Sequence, residues 1–248
     1  MFQSLASFFN IILYQPLFNS LVALYDYIPG HDFGVAIILL TIIIRVILYP
    51  LSVKSVTSQR SLQKLQPLMQ EIQKKYKDDK EKQAKEILDL YKREKINPFS
   101  GLFLALIQLP ILIALYQVFW NGLKPEGLTG LYSFIINPVS IDPWFIHLVN
   151  LSTPNMVLAV LAGITQYFQT KMILPKKGAN SLGKGKENDF SQAMQMQMTY
   201  FMPIFTVIIL ISLPSALGLY WTVSGIFSIV QQYIIFKNKD KEELIKSN

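Results

Sequence analysis

From Phe33 to Val53 the chain reads FGVAIILLTIIIRVILYPLSV, 21 residues in which Arg45 is the sole charge. About 20 consecutive apolar residues suffice to cross the hydrocarbon core of a bilayer as a helix. The run is therefore predicted to span a membrane with a guanidinium a little past its middle. Insertion scales put the cost of such a charge at about 2.5–3.5 kcal/mol. No other predicted span contains a carboxylate to pair with it. The plain reading is a structural arginine that snorkels or finds an ion pair. Its depth favours another, an arginine facing a wet cavity that receives something anionic. Thr41, one turn earlier, shares its face.

Composition agrees with membrane residence: of 248 residues, 51% are hydrophobic and 16% charged, too little soluble sequence for a large extramembrane domain. The absence of cysteine excludes disulfides, thiolate metal sites and cysteine nucleophiles. A net charge of +7 could point to nucleic acid, but in a membrane protein the first role of surplus lysine and arginine is topology. No Lys or Arg precedes Arg45, so no secretory signal peptide of the usual kind is expected, and with no cysteine no lipid anchor is expected either.

Residues 1–30 are apolar but interrupted by Asn10, Gln15, Pro16, Asn19, Ser20 and Asp26, with Phe18, Leu21, Val22 and Tyr25 at helical spacing. Pro16 to Tyr27 is read as an outer amphipathic helix in the membrane interface, closed by Pro29-Gly30; the rival is an additional span. Residues 54–95 hold 12 Lys/Arg against 7 Asp/Glu. Pro67 marks a place where a helix could begin, followed by one apolar stripe (Leu65, Leu68, Met69, Ile72, Tyr76). Ala84, Ile87, Leu88 and Tyr91 make a second, with the break at Lys77-Asp78-Asp79-Lys80 between them, which predicts a helical hairpin over 57–95.

Four further spans are predicted at about 99–120, 154–174, 195–211 and 215–236, making a five-span core over 31–236 with a tail at 237–248. Pro110, two residues after Gln108, is expected to kink the second span. The loop 121–153 is poor in Lys and Arg, and its Pro, Gly and Asn content suggests turns and a short surface helix. The Gly/Lys-rich stretch 175–189 is expected to be a mobile loop. Met194, Met196, Met198 and Met202 cluster at the start of the fourth span, and a tight turn at Leu213-Pro214 joins the last two. The basic loops and the tail go to the cytoplasm and the poorly basic ends outside, which puts the N-terminus out and the C-terminus in.

The sequence contains none of the common hydrolase, zinc-protease or P-loop signatures, and no paired carboxylates at membrane depth. His31 and His147 lie in or near outer loops without a second ligand. No enzyme chemistry, metal or other cofactor is expected. The polar residues within the spans form a different pattern. Gln108, Gln166, Gln169, Ser224, Ser228 and Gln231 join Arg45 and Thr41 near mid-membrane or in the inner half. Any one of them could be a helix–helix hydrogen bond, about 0.6 kcal/mol on average. Together with an unpaired arginine they suggest a hydrated recess.

Several runs, in order, carry a resemblance: FNSLVALYDYIPGHDFGVAIILLTIIIRVILYPLSVKS, LQPLMQEIQKKYKDDKE, LYKREKINPFSGLFLALIQLPILIALYQVFW and LPSALGLYWTVSGIFSIVQQYIIF. Over about residues 10–238 the chain resembles the bacterial YidC membrane insertases, relatives of the mitochondrial Oxa and chloroplast Alb proteins, in their short form without a large outer domain. The resemblance implies an all-α fold of five transmembrane helices around a hydrophilic groove open to the cytoplasm and lipid, with an outer amphipathic helix and a cytoplasmic hairpin. It matches Arg45 to the family's groove arginine, Thr41 to the threonine one turn before it, and Gln108-Leu109-Pro110 to the family's Gln–hydrophobe–Pro step of the second span. Tyr220-Trp221 matches an aromatic pair of the last span, with Trp221 contacting the incoming segment. Leu112 completes the candidate groove. The function implied is insertion of nascent membrane proteins at the cell (inner) membrane, by a monomer among membrane lipids, with the Sec translocon, ribosome and signal recognition machinery as candidate partners. The alternative carried from the residues is a small channel or anion transporter with Arg45 as the anion site.

Overall fold

Two prolines explain how the chain enters its first and penultimate apolar helices. The computed structural model describes residues 2–123, 128, 130–174 and 196–247. At the N-terminus α1 (Phe2–Phe9) runs through a π-helical turn (Asn10–Tyr14) into α2 (Gln15–Tyr27). The second such turn, Gln197–Phe201, leads into α8 (Met202–Leu210). Each is followed within two residues by proline, Pro16 and Pro203. Proline has no N–H for the usual i→i−4 bond, and the wider i→i−5 bond (Gln15 N–H to Asn10 O, Met202 N–H to Gln197 O) takes up the change.

The predicted first span is bent. α3 (Phe33–Ile47) stops at Leu48, and α4 (Tyr49–Lys75) leaves at 66°. Pro50 near the start of α4 is the physical cause, since its ring cannot continue α3. The expected helix start at Pro67 is corrected by the same element. α4 runs unbroken past Pro67, which is exposed, so water can meet the carbonyl its missing N–H leaves unpaired. α5 (Lys80–Arg93), capped by Asp79 accepting from Lys82 N–H at 3.0 Å, returns against α4. Leu65 and Leu90 are buried in this hairpin, while Leu68 and Leu88 stay exposed.

The remaining elements are α6 (Ser100–Gly122), β1 (Trp144–Phe145), β2 (Val149–Asn150), α7 (Met156–Ile173) and α9 (Ser215–Ser247). β1 and β2 form an antiparallel hairpin with Trp144 opposite Asn150 and Phe145 opposite Val149. In the 121–153 loop this hairpin was not expected, while Leu128 and Gly130 have 3-10 helical geometry. By length and composition Ala6–Tyr27 and Ser215–Asn238 can each cross a membrane, and the bent α3–α4 pair makes a third; Leu106–Gly122 and Gln197–Leu210 are shorter apolar helices. The helix read as interfacial thus also meets the requirement for a span. Met194, Lys124, Glu126 and the loop 175–189 lie outside the described residues.

α9 packs along α7 and α3, and α7 also packs on α8. Glycine permits these close approaches: a Cβ on Gly218 would meet Leu158 at 3.2 Å, and one on Gly225 would meet Thr165 Oγ1 at 2.7 Å. The apolar stripe of α2 (Phe18, Leu21, Val22, Tyr25) is buried against α3 and α6.

One end of the bundle is stapled. Asp32 caps α3 through Val35 N–H (3.0 Å) and also accepts from Ile146 N–H (2.6 Å), in the hairpin turn where Ile146 and His147 have positive φ. A Cβ on Gly34 would run into the Phe145 ring. Asn19, buried in α2, donates to Gly130 O (3.2 Å) and accepts from Tyr132 N–H (2.7 Å). The first amides of α9, those of Ser215 and Ala216, donate to Thr153 O and Leu151 O.

Candidate functional site

Arg45 occupies the last turn of α3, three residues before the bend, rather than mid-helix. A cation there meets the negative end of the helix dipole, worth about 0.3–1 kcal/mol. Its Nε donates to Ser224 Oγ at 2.7 Å and a terminal guanidinium nitrogen reaches the same oxygen. A hydroxyl positions the guanidinium without neutralising it. Among the described residues no carboxylate forms an ion pair with Arg45.

The guanidinium lines a cavity of about 270 Å³ walled by four helices. α6 contributes Gln108 and Leu112, α7 Gln166, Gln169, Thr170 and Ile173, and α9 Tyr220, Trp221, Ser224 and Gly225. The 3- and 4-residue spacing of Gln166, Gln169 and Thr170 puts them on one flank of α7. Gln108 Nε2 donates to the Tyr220 hydroxyl at 2.6 Å, which holds α6 against α9 at the cavity wall. Gln166 Oε1, by contrast, is buried with no hydrogen-bond partner among the described residues. A buried carbonyl oxygen of this kind costs about 1–3 kcal/mol unless water or a ligand reaches it. Positive charge and spare amide groups make the lining suited to carboxylates and to polar peptide.

A second cavity of about 290 Å³ adjoins the first, sharing Leu112 and Trp221. Its other walls are Ile113 and Tyr116 of α6, Thr206, Ile209 and Leu210 of α8, Leu213, and Leu217 of α9. Trp221 thus stands between a polar and an apolar compartment.

Eight of the sequence-derived candidates meet in the polar cavity: Arg45, Gln108, Leu112, Gln166, Gln169, Tyr220, Trp221 and Ser224. Three others do not line it. Thr41 is buried and donates to Ile37 O at 2.6 Å within its own helix. Ser228 donates to Ser224 O at 2.9 Å, one turn back along α9. Leu109 points away and is exposed. Gln231, also named in the polar stripe, accepts from Ser52 at 2.8 Å and ties α9 to α4. For Thr41 and Ser228 hydrogen bonding within the helix accounts for the polarity, whereas Gln231 pairs its Oε1 with Ser52 and leaves its Nε2 buried without a partner among the described residues. The sequence-derived set missed Thr170, Ile173 and Gly225. Spacing puts Thr170 one turn from Gln166 on the polar flank of α7, though not in the candidate set, whereas Gly225 carried no signal without a partner helix.

A family model described as 60Kd inner membrane protein matches residues 23–242, an interval that contains every residue lining the polar cavity. The membrane protein insertase YidC of Tolumonas auensis is 35% identical over 232 residues, which is 93% of this chain. The chain spans 37% of the length of that relative. The chain belongs to the 60Kd inner membrane protein family, that of YidC.

Proposed function

We propose that the chain is a membrane protein insertase whose polar cavity receives the hydrophilic part of a nascent membrane protein. Arg45 is the observation that carries this reading: a charge held by a neutral hydroxyl, facing a cavity lined by glutamines. Lipid offers no partner to peptide N–H and C=O groups, and each unsatisfied one costs several kcal/mol. A polar half-crossing lowers that cost for a short segment in transit, and the guanidinium attracts acidic ones. The hydrophobic segment of the client passes by Trp221 toward the neighbouring apolar cavity and then into lipid. The reading includes five spans, α3 to the bend with the start of α4, α6, α7, α8 with its π turn, and α9. It places the N-terminus outside, the α4–α5 hairpin in the cytoplasm, and the stapled end on the outer side. The hairpin is then the element that meets the emerging chain, with the ribosome, signal recognition machinery or Sec translocon.

A channel needs polar lining on both sides of its ion site. Beside the polar cavity lies an apolar one, which disfavours that alternative.

Reconstituted vesicles presented with one client bearing an acidic and one bearing a neutral outer segment test the proposal. Arg45→Ser is expected to lower insertion of the acidic client about tenfold, the equivalent of about 1.4 kcal/mol. Arg45→Lys keeps the charge and retains most of the activity. Equal insertion of the acidic client by wild type and Arg45→Ser would overturn charge capture.

A further inference from the structure

A third cavity, of about 320 Å³, opens on another flank of α7, between that helix and the π turn leading into α8. Val160, Ile164 and Tyr167 form its α7 side, and Tyr200, Ile204 and Val207 face them. The lining is apolar, and Ile164, Tyr200 and Ile204 are exposed to the surroundings. Gly163 sets the floor, since a Cβ there would approach Pro203 O to 3.2 Å and collide with Val207.

The spacing along α7 decides what fits. Val160, Ile164 and Tyr167 stand at steps of four and three residues, and one more step of four on the same face reaches Lys171. The Lys171 Nζ lies 5.5 Å from the centre of the Tyr167 ring, and Lys171 is exposed at the end of α7. Among the described residues no carboxylate pairs with it. Eleven residues of helix rise about 16 Å from Val160 to Lys171. One leaflet of a bilayer has a hydrocarbon depth of about 15 Å, half of its roughly 30 Å core. The α7 face from Val160 to Lys171 is therefore about one leaflet long, with the apolar cleft occupying it as far as Phe168 and the lysine standing just beyond the cleft's end.

We infer that this cleft seats one anionic phospholipid, its acyl chain along Val160, Ile164 and Ile204 and its phosphate at Lys171. A transmembrane helix of a partner would need a surface twice as long and would gain nothing from a lysine at its edge. In the orientation proposed above the lipid belongs to the inner leaflet, and the cleft itself is independent of the Arg45 cavity. The seat braces α7 against the π turn before α8, the two elements that hold the cleft apart.

The test uses the full chain in nanodiscs of equal phosphatidylglycerol and phosphatidylethanolamine, extracted into mild detergent, with the retained lipid identified by native mass spectrometry. One phosphatidylglycerol per chain is expected, preferred about fivefold over phosphatidylethanolamine, the scale of one lysine near an anionic headgroup. Lys171→Glu abolishes the preference and Lys171→Arg keeps it. Val160→Trp fills the cleft and lowers retention of either lipid. Equal retention of the two lipids by wild type would mean annular lipid only. A preference that survives Lys171→Glu would place the anion elsewhere, and one that survives Val160→Trp would reduce the contact to surface charge; each of these overturns the proposal. Vesicle insertion by Lys171→Glu tells the two readings apart, because losing the lipid seat leaves capture of an acidic segment by Arg45 in place.

Discussion

The stapled end of the bundle and the Arg45 cavity both bury polar side chains among apolar helices, yet they treat them in opposite ways. At the stapled end the backbone takes up most of the polar groups, Asp26 Oδ2 being left without a partner among the described residues. Asn19 meets Gly130 and Tyr132, Asp32 meets Val35 and Ile146, and Ser215 meets Asn150 and Thr153. Around Arg45 the side chains pair with one another along a cavity wall instead, Arg45 with Ser224 and Gln108 with Tyr220, and Gln166 Oε1 has no protein partner among the described residues. Polar atoms that are fully paired close a structure. Polar atoms left with spare capacity make a place for something else.

The difference can be broken from either side. The largest stability effect is expected at the stapled end. Asn19→Ala leaves Tyr132 N–H without its acceptor and Gly130 O without its donor, costing about 1–3 kcal/mol. In a chain of this size that lowers the Tm in detergent by roughly 2–12 °C, with insertion per folded molecule unchanged. An unchanged Tm would show the staples to be ornamental. A smaller loss is expected where α9 meets α7 beside the cavity. Gly225→Ala drives a methyl into Thr165, whose hydroxyl is anchored on Ala162 O at 2.9 Å, so the helices must part. Overpacking of about 1–3 kcal/mol, offset by about 1 kcal/mol of better helix propensity, leaves a net loss near 1 kcal/mol by thermal unfolding. The smallest shift sharpens the contrast most. If water reaches Gln166, then Gln166→Leu leaves the unfolding free energy within about 0.5 kcal/mol of wild type, because removing an already solvated amide gains little. A Tm increase worth more than about 1 kcal/mol would identify a dry seam and remove the wet cavity from the argument.

Much of the cavity was legible because a charge, an amide or a hydroxyl inside an apolar run stands out in one dimension. Arg45, Gln108, Gln166, Gln169 and Ser224 were all found in that way, and all five line it. The same criterion could not separate them from Thr41, Ser228 and Gln231, which look alike in sequence. What separates the two groups is where each oxygen finds its partner. Thr41 and Ser228 turn back on their own helices and Gln231 crosses to Ser52, none of which spacing reveals. Leu109 and Leu112 show the same limit for apolar residues. Three positions apart on α6, one is exposed and the other stands between two cavities.

Hydropathy and charge along the chain were enough to establish apolar helices of the membrane type, an arginine within one of them, and a charged helical pair beyond it. Those are properties of composition and period, carried by each segment alone. The bend at Leu48, the passage of α4 through Pro67, the glycine-thin contact of α9 with α7, and the choice of which polar atoms stay unpaired were decided by tertiary structure. Each depends on the distance and angle between elements far apart in sequence. A hydrogen bond is made or missed within about half an ångström, a tolerance that no residue pattern read along one strand of sequence can resolve.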